Sequence, residues 1–250
     1  MRHSKKILAL LLSSLALTAC FEPKTPTSDS ADPGTGQVFP ETGYTKIGND
    51  GIILEDQTQA WADDGTEAEG TQWSCVRDND TGLYWEVKTN DGGLRGTDWT
   101  YTWYDTNPAT NGGYEGYEGN EDDDSTCDDN SASSFLCNTK NYEEAVNNIQ
   151  LCGFDDWRLP TGDFDQDGVA SAQELQSLLT CTYPDCDSAN APPIDTDYFP
   201  NTRAYYYWSS SPVASDNYYA WIVSFSNDYV DYNIKLSTST ARLVRSSQSL

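Results

Sequence analysis

Residues 163–174 carry acidic side chains at a spacing that suits a hard cation. Asp163, Asp165, Asp167, Gly168 and Glu174 match the pattern D-x-[DN]-x-[DN]-G-x5-E, in which alternate carboxylates turn inward and the glycine lets the backbone bend. The pattern predicts a Ca²⁺ loop whose ligands are monodentate carboxylates, a backbone carbonyl, a direct or water-bridged hydroxyl and a final bidentate carboxylate. In chain order these ligands are Asp163, Asp165, Asp167, Val169, Ser171 and Glu174.

The setting of this loop differs from that of a calcium sensor. Acidic residues make up 40 of the 250 positions, so an acid-rich solvated loop is the alternative, although the specified positions in register favour calcium. Pro160 and Gly162 stand where an EF-hand has its incoming helix, and the sequence contains no second loop of this pattern. Ser171 and Glu174 form a capping box ahead of helically spaced leucines, which predicts a following helix. A lone loop of this kind stabilises structure rather than sensing calcium.

The N-terminus has the layout of a bacterial export signal. Basic residues within positions 2–6 precede an apolar stretch at 7–17 that is too short for a stable membrane span. The letters L-T-A-C at 17–20 then resemble a lipobox, which predicts cleavage before a lipid-modified Cys20. The alternative is an ordinary signal peptide that is cut near Ala19.

The predicted location and domain organisation follow from this leader. Phe21, rather than Asp, follows the cysteine, and the resemblance to Gram-negative lipoproteins then implies the outer membrane or cell surface. Residues 21–44 are rich in Pro, Thr, Ser and Gly, a composition typical of a flexible tether. We therefore predict a lipoprotein signal peptide at 1–20, the tether, and a domain at 45–250 that the lipid anchor attaches to the membrane.

Net charge limits the partners that this chain can bind. Of its 14 basic residues Arg2, Lys5 and Lys6 leave with the signal peptide, so 11 remain against 40 acidic residues, a net charge of −29. Binding to polyanions depends on basic residues, so such a surface repels nucleic acids, anionic lipid headgroups and sulfated polysaccharides. Divalent cations are favoured instead. The composition therefore excludes a nucleic-acid partner.

The histidine and cysteine content excludes several kinds of active site. The only histidine, His3, leaves with the signal peptide, which removes Ser-His-Asp sites, Cys-His sites and His-ligated zinc. Six cysteines remain after Cys20, an even count that is typical of disulfides in an exported protein. Of the fifteen pairings that six cysteines allow, spacing favours Cys127 with Cys137, Cys181 with Cys186, and Cys75 with Cys152.

Periodicity predicts strands together with two helices. Strands are expected where aromatic and β-branched residues cluster, at 83–88, 99–104, 205–210, 220–225 and 241–245. We expect the aromatics of 99–104 in the core, with sugar stacking as the alternative. The first helix should have Thr139 as its N-cap and end near Gly153. Its predicted buried face is Tyr142, Ala145, Val146 and Ile149. Residues 105–134 are expected to form a solvated acidic loop, with a second cation site as the alternative.

Several motifs in a fixed order resemble one family. They are C-V-R-D at 75–78, T-G-L-Y-W at 81–85, L-C-G-F-D-D-W-R-L-P-T at 151–161, E-L at 174–175, Y-F-P at 198–200, Y-W-S-S at 207–210 and R-L-V-R at 242–245. Over about residues 68–246 the chain resembles the DUF1566 family, also called the Lcl C-terminal domain. The resemblance implies an α+β, C-type-lectin-like fold that is related to sulfatase-modifying factors, with two helices packed on twisted antiparallel sheets.

Two features of the W-R-L-P-T motif refine this picture. Trp157 is expected in the core, and Arg158 is expected to be paired or hydrogen-bonded beneath the loops. The family runs directly from this motif into the Glu-Leu helix, whereas here residues 162–170 are inserted. Calcium binding is therefore predicted for this chain and is not implied by the family.

The resemblance and the composition leave three hypotheses for function. The best-known family member is an adhesin that binds glycosaminoglycans through a basic surface, which a chain this acidic does not have. The Glu-Pro-Asn, Gln-Pro-Asp and Trp-Asn-Asp signatures of calcium-dependent lectins are also absent. We favour an outer-membrane or surface lipoprotein whose lectin-like adhesion module, stabilised by Ca²⁺, binds an extracellular glycan or protein. The alternatives are a structural or assembly protein of the cell envelope without glycan binding, and a glycosidase that uses two carboxylates.

Four tyrosines are the candidates for ligand contact under the favoured hypothesis. They are Tyr205, Tyr206, Tyr218 and Tyr219. Tyrosine rings can stack on sugars, but ordinary packing in strands and turns explains them equally well. No residue is singled out as catalytic, and we predict that the protein is not an enzyme.

Overall fold

Short antiparallel strands make up most of the regular structure. The computed structural model describes residues 30–31, 36–119, 127, 136–162, 174–181, 192–227 and 229–246. The strands are β1 (Ser30–Ala31), β2 (Val38–Phe39), β3 (Tyr44–Ile47), β4 (Cys75–Asp78), β5 (Leu83–Glu86), β6 (Tyr101–Thr102), β7 (Tyr206–Pro212), β8 (Tyr219–Ser224), β9 (Val230–Ile234), β10 (Thr238–Ser239) and β11 (Val244–Ser246). The helices are α1 (Thr139–Asn148) and α2 (Glu174–Ser177), with 3₁₀ turns at Glu67–Glu69 and Leu151–Gly153. The predicted mixed α+β class with antiparallel sheets and two helices is confirmed.

The two ends of the domain meet in a four-stranded sheet of order β11-β5-β4-β3. The β4-β5 hairpin closes because Asp78 Oδ1 accepts hydrogen bonds from the N–H groups of Asp80 and Thr81, at 2.9 and 3.3 Å. Gly82 supplies the positive φ of 76° that this turn needs. All four residues of β4 are buried, so this sheet lies at the centre of the core.

A second sheet has the order β7-β8-β9. The register between β7 and β8 shifts between Trp208 and Pro212, which marks a bulge in β7. On the edge strand β9 the N–H groups of Tyr232 and Ile234 bond to the side chains of the residues before them, Asp231 and Asn233, at 2.8 and 2.9 Å. These local bonds occupy donors that a strand of another molecule could otherwise pair with.

Helix α1 follows the predicted periodicity with two corrections. Its N-cap is Asn138, whose Oδ1 accepts a hydrogen bond from the Asn141 N–H at 2.8 Å, rather than Thr139. The buried positions include Tyr142 and Val146, as predicted. Ile149 is 54% exposed because the helix ends at Asn148, before the predicted end near Gly153.

One disulfide joins segments that are distant in sequence, and a second closes a short loop. Cys75 on β4 bonds to Cys152 in a 3₁₀ turn, 77 residues further on, and Cys127 bonds to Cys137. Both pairs are those that the cysteine spacing favoured, so these two predictions are confirmed. Cys181 is also disulfide-bonded, and its predicted partner Cys186 lies outside the described residues.

Aromatic side chains fill the core. Those that are less than 2% exposed are Phe39, Trp73, Tyr84, Trp85, Tyr101, Trp103, Tyr142, Trp157, Phe199, Tyr207, Trp208 and Phe225. The rings of Tyr101 and Tyr142 stack with centroids 4.6 Å apart, which packs β6 against α1. Trp157 donates a hydrogen bond from Nε1 to the Leu151 carbonyl at 3.0 Å. The core positions predicted for Trp157 and, within 99–104, for Tyr101 and Trp103 are therefore confirmed, whereas Trp99 and Tyr104 are only partly buried.

Most basic side chains are also internal. Of the ten described Lys and Arg residues, the buried ones are Lys46, Arg77, Lys88, Lys235, Arg242 and Arg245. Several lie over aromatic rings; the Lys46 ammonium is 4.2 Å from the Trp73 ring centroid. Because so many positive charges are inside, the surface of the described domain is more acidic than the composition alone indicates.

Candidate ligand-binding cleft

A cleft of about 590 Å³ lies between α1, the segment 158–161, the end of β7 and the loop that follows β6. Its size falls in the range of small-molecule sites, which is roughly 300–1,000 Å³. The polar and aromatic lining includes Tyr104, Asp105, Lys140, Glu143, Arg158 and Ser211. Both hydrogen-bond donors and hydrogen-bond acceptors therefore face one opening.

Helix α1 supplies the first wall of the cleft. Lys140 and Glu143 are three residues apart, so they lie on the same face of the helix. Thr139 Oγ1 accepts a hydrogen bond from the Tyr104 N–H at 3.0 Å and donates one to the Tyr104 carbonyl at 3.1 Å. This pair of bonds fixes the loop after β6 to the start of the helix.

A buried lysine holds the loop after β6, which forms the second wall. Lys235 Nζ donates hydrogen bonds to the carbonyls of Asn111 and Tyr114, at 2.9 and 2.7 Å, and lies 4.1 Å from the Trp103 ring centroid. Burial lowers the pKa of Lys235 to about 8. Gly116 is required in this loop because a Cβ there would lie 2.1 Å from the Trp103 carbonyl oxygen. The wall is thus built from backbone that packs too closely to rearrange freely.

Arg158 forms the third wall and is held from two sides. Its backbone N–H and carbonyl pair with Val244 of β11, at 3.0 and 2.9 Å. Its guanidinium donates to both carboxylate oxygens of Glu174, at 2.7 and 2.8 Å, and the Thr161 N–H donates to the same carboxylate at 2.6 Å. Burial alone would raise the pKa of Glu174, but these hydrogen bonds hold it below its ordinary value. The predicted pairing of Arg158 beneath the loops is confirmed.

Glu143 has no basic partner within ion-pair distance among the described residues. Its Oε2 accepts one hydrogen bond, from the Leu159 N–H at 3.3 Å. Burial raises the pKa of Glu143, the Leu159 N–H and Lys140 oppose this shift, and the charges of Asp105 and Glu144 add to it. A half-buried carboxyl with a raised pKa in a cleft is typical of a functional group.

Asp105 is a second cleft carboxylate without a basic partner at ion-pair distance in the described part of the chain. Its Oδ1 accepts a hydrogen bond from the Asn107 N–H at 2.8 Å, and its Oδ2 accepts one from Thr110 Oγ1 at 2.6 Å. These bonds orient the carboxylate on the loop and leave further acceptor positions on both oxygens. Asp105 and Glu143 thus belong to different walls of the same opening.

Most of the predicted calcium ligands lie outside the described residues. These are Asp163, Asp165, Asp167, Val169 and Ser171, and the predicted lipidation site Cys20 lies outside them as well. Glu174 is described, and Arg158 and Thr161 hold its carboxylate. Within the ranges that the structure covers, no group of three or more metal-ligating side chains occurs. The calcium loop therefore stays a prediction.

The tyrosines proposed for stacking lie in, or immediately before, strands β7 and β8 of the second sheet, and none of them lines the cleft. They are Tyr205, Tyr206, Tyr218 and Tyr219. The strand register places Tyr206 opposite Ser224, at the end of β8, whereas Tyr219 begins β8. The two pairs are therefore at opposite ends of the β7-β8 pairing, and their role in ligand contact stays a prediction.

Sequence reasoning did not single out Asp105, Lys140 or Glu143. The helical spacing does indicate that Lys140 and Glu143 lie together, since both positions fall on the polar side of the predicted helix. Nothing distinguished Asp105 from the 39 other acidic residues, because only the folded chain brings the loop after β6 to α1.

Comparison with known proteins places this domain in a family. Its structural disulfides indicate an oxidising, extracytoplasmic compartment. Its fold is an α+β domain with a polar cleft. Residues 74–245 match the family model described as the Lcl C-terminal domain, and the chain belongs to this family. Comparison with curated proteins and with solved structures gave no match. No helix among the described residues is long and apolar enough to cross a membrane.

Proposed function

We propose that this chain is an exported, C-type-lectin-like module that binds an extracellular glycan in the cleft. The observation that carries the proposal is the combination of hydroxyl, carboxylate, ammonium and guanidinium groups around Tyr104 in one opening. A sugar needs donors and acceptors for its hydroxyl groups and an aromatic or apolar surface for its C–H face. This cleft offers both kinds of contact.

The walls of the cleft support binding because they are already ordered. Thr139 fixes the loop to α1, Lys235 holds that loop from below, and Val244 fixes the backbone of Arg158. A ligand that enters such a site does not have to order these segments, which reduces the entropic cost of association. The proposed lipid on Cys20 and the tether at 21–44 would hold this module at the outer membrane or cell surface.

Calcium is proposed to stabilise the loop 163–174 rather than to contact the glycan. The predicted bidentate ligand, Glu174, now accepts hydrogen bonds from Arg158 and Thr161. The calcium hypothesis therefore requires the cation to compete with the guanidinium for this carboxylate.

Asp165→Ala is expected to lower the melting temperature only when calcium is present, because the side chain matters only as a ligand. A cation that binds the folded state alone adds about 2.7 kcal/mol of stability at 100 times its Kd. Thermal melts in calcium and in chelator measure this difference. Equal shifts in the two conditions would contradict the calcium proposal.

Asn107→Trp is expected to lower glycan affinity about tenfold or more, because Asn107 is an exposed residue of the cleft lining and the indole would occupy the opening. The measurement is a glycan array with the chain from Phe21 onward, in calcium and in chelator, followed by titration of the glycans that bind. Asn148→Trp is the matched control, since Asn148 is exposed on α1 away from the cleft. If the folded protein binds no glycan on the array, the result would favour the alternative of a structural protein of the cell envelope.

The two cleft carboxylates make a glycosidase the second candidate. Such enzymes pair a protonated acid with an ionised carboxylate, and the raised pKa of Glu143, caused mainly by burial, suits it to the acid role opposite Asp105. Release of new reducing ends from a bound glycan, abolished by Glu143→Gln, would identify an enzyme. Binding without product supports the lectin-like function.

A further inference from the structure

The charges that line the cleft are not balanced. Lys140 Nζ lies 2.7 Å from a Glu144 oxygen, and Arg158 uses both terminal nitrogens of its guanidinium on the Glu174 carboxylate. Both cations of the lining are therefore neutralised by partners from the protein itself. The two remaining carboxylates of the lining have no such partner among the described residues.

The environment of Glu143 makes its negative charge unfavourable in the free protein. The carboxylate is half-buried beside Leu159, whose N–H is a neutral donor at 3.3 Å. Burial raises the pKa of Glu143, and the nearby charge of Asp105 adds to the shift. A cation that enters the cleft would relieve both effects, because it replaces lost solvation and screens the two carboxylates from each other.

We propose, building on the glycan-binding function, that the cleft selects glycans with a free primary amine, whose ammonium group binds between Glu143 and Asp105. The chemical class is an amino sugar without its N-acyl group. Its hydroxyl groups would be left for the hydroxyl and aromatic side chains of the lining, such as Ser211 and Tyr104. An anionic sugar would meet the same two carboxylates and be repelled.

The surface charge of the whole chain favours the same ligand. The net charge is strongly negative, and most of the described basic residues are buried. A surface of this kind raises the local concentration of cations and increases their rate of association. It gives no such advantage to a neutral glycan, so the surface charge favours the amine over its acylated form.

The test compares oligosaccharides of equal length that differ only at the amino group. The probes are the tetrasaccharides of β-1,4-linked glucosamine, N-acetylglucosamine and glucose, titrated calorimetrically into the chain from Phe21 onward at a pH where the amine is protonated. We expect the glucosamine form to bind at least about tenfold more tightly than the other two, which corresponds to about 1.4 kcal/mol. Glu143→Gln and Asp105→Asn should each remove this preference.

Asp155→Asn is the matched control, because Asp155 is an exposed carboxylate outside the cleft lining. It should leave the preference in place. Glu143→Gln should melt at the same temperature as the parent or higher, since it removes an unfavourable charge; this result separates a binding defect from misfolding. Equal affinity for the glucosamine and N-acetylglucosamine forms would overturn the amine inference and leave glycan binding intact.

A second arm separates the amine site from the glycan function. Binding of 1,5-diaminopentane but not 1,5-pentanediol, lost in Glu143→Gln, would support the amine site even if no sugar binds. If neither compound nor any sugar binds to the folded protein, both proposals fail.

Proton release adds a readout that a purely structural carboxylate would not give. An ammonium beside Glu143 lowers its raised pKa, so binding in the pH range where this carboxyl is partly protonated should release protons into the buffer, and this release should vanish in Glu143→Gln.

Discussion

Glu86→Gln is expected to lower the free energy of unfolding by about 3–5 kcal/mol, because it breaks a buried ion pair from one side. Glu86 and Lys88 are both fully buried, with Lys88 Nζ 2.9 Å from Glu86 Oε1. The same oxygen accepts a hydrogen bond from the Tyr142 hydroxyl, and Oε2 accepts one from the Leu243 N–H at 2.9 Å. Removing the charge leaves the Lys88 ammonium uncompensated in the core. Urea unfolding of the parent and the variant measures the loss.

The pH dependence of this loss has a defined sign. Burial lowers the pKa of Lys88 to about 8, while Glu86 opposes the shift. A lysine whose folded pKa is below its unfolded pKa makes stability rise with pH above the folded pKa. Without Glu86 the folded pKa of Lys88 falls further, so the deficit of Glu86→Gln relative to the parent should shrink as the pH rises toward about 8.

Two controls test whether the buried pair is the cause. Glu144→Gln removes one partner of the exposed Lys140–Glu144 pair and should cost less than about 1 kcal/mol. The double variant Glu86→Gln with Lys88→Met should recover part of the loss, because neither charge is then buried alone. A cost for Glu86→Gln as small as that of the surface control would contradict the proposed energetics.

Loss of the Cys75–Cys152 disulfide is expected to destabilise the domain by about 4–5 kcal/mol. The bridge closes a loop of 77 residues, and the stabilisation that a cross-link gives through the unfolded state grows with loop length. Cys75 lies on the buried strand β4, so Cys75→Ala with Cys152→Ala also tests how firmly the central sheet holds the segment before the W-R-L-P-T motif. Denaturant unfolding without reductant measures the effect.

The Cys127–Cys137 bridge is the matched comparison. Its separation is 10 residues, so Cys127→Ala with Cys137→Ala should cost less, about 2–3 kcal/mol by the same relation. The reverse order of the two losses would show that native-state contacts, rather than loop closure, dominate the contribution of these bridges.

Local patterns in the sequence were sufficient for the elements that local chemistry determines. The burial of Tyr142 and Val146 follows from helical spacing. The N-cap was assigned to Thr139 although Asn138 is also a good cap, because sequence alone does not show that Tyr104 engages the threonine hydroxyl. Tertiary contacts therefore decide which of two adjacent capping residues forms the N-cap.

The cleft could not be predicted, for a different reason. It depends on contacts between segments far apart in the chain, such as Lys235 with the carbonyl of Asn111 and Arg158 with Val244. A pattern search also cannot separate Glu143 from other acidic residues, since its distinction is a half-buried position without a basic partner at ion-pair distance in the described fold. Glu174 is the opposite case. The calcium pattern identifies this residue from the sequence, but only the fold shows its contact with Arg158.

The internal position of the basic side chains also affects how the protein survives outside the cell. Proteases of the trypsin type cleave after lysine or arginine, and they need that side chain and its flanking backbone in an accessible, extended segment. In the described domain most of these residues are buried, and Lys140 lies within helix α1. Cleavage at the buried positions must wait for the chain to open, so its rate follows the population of the unfolded state. The burial that makes the surface acidic thus also protects these buried positions from such enzymes while the domain is folded.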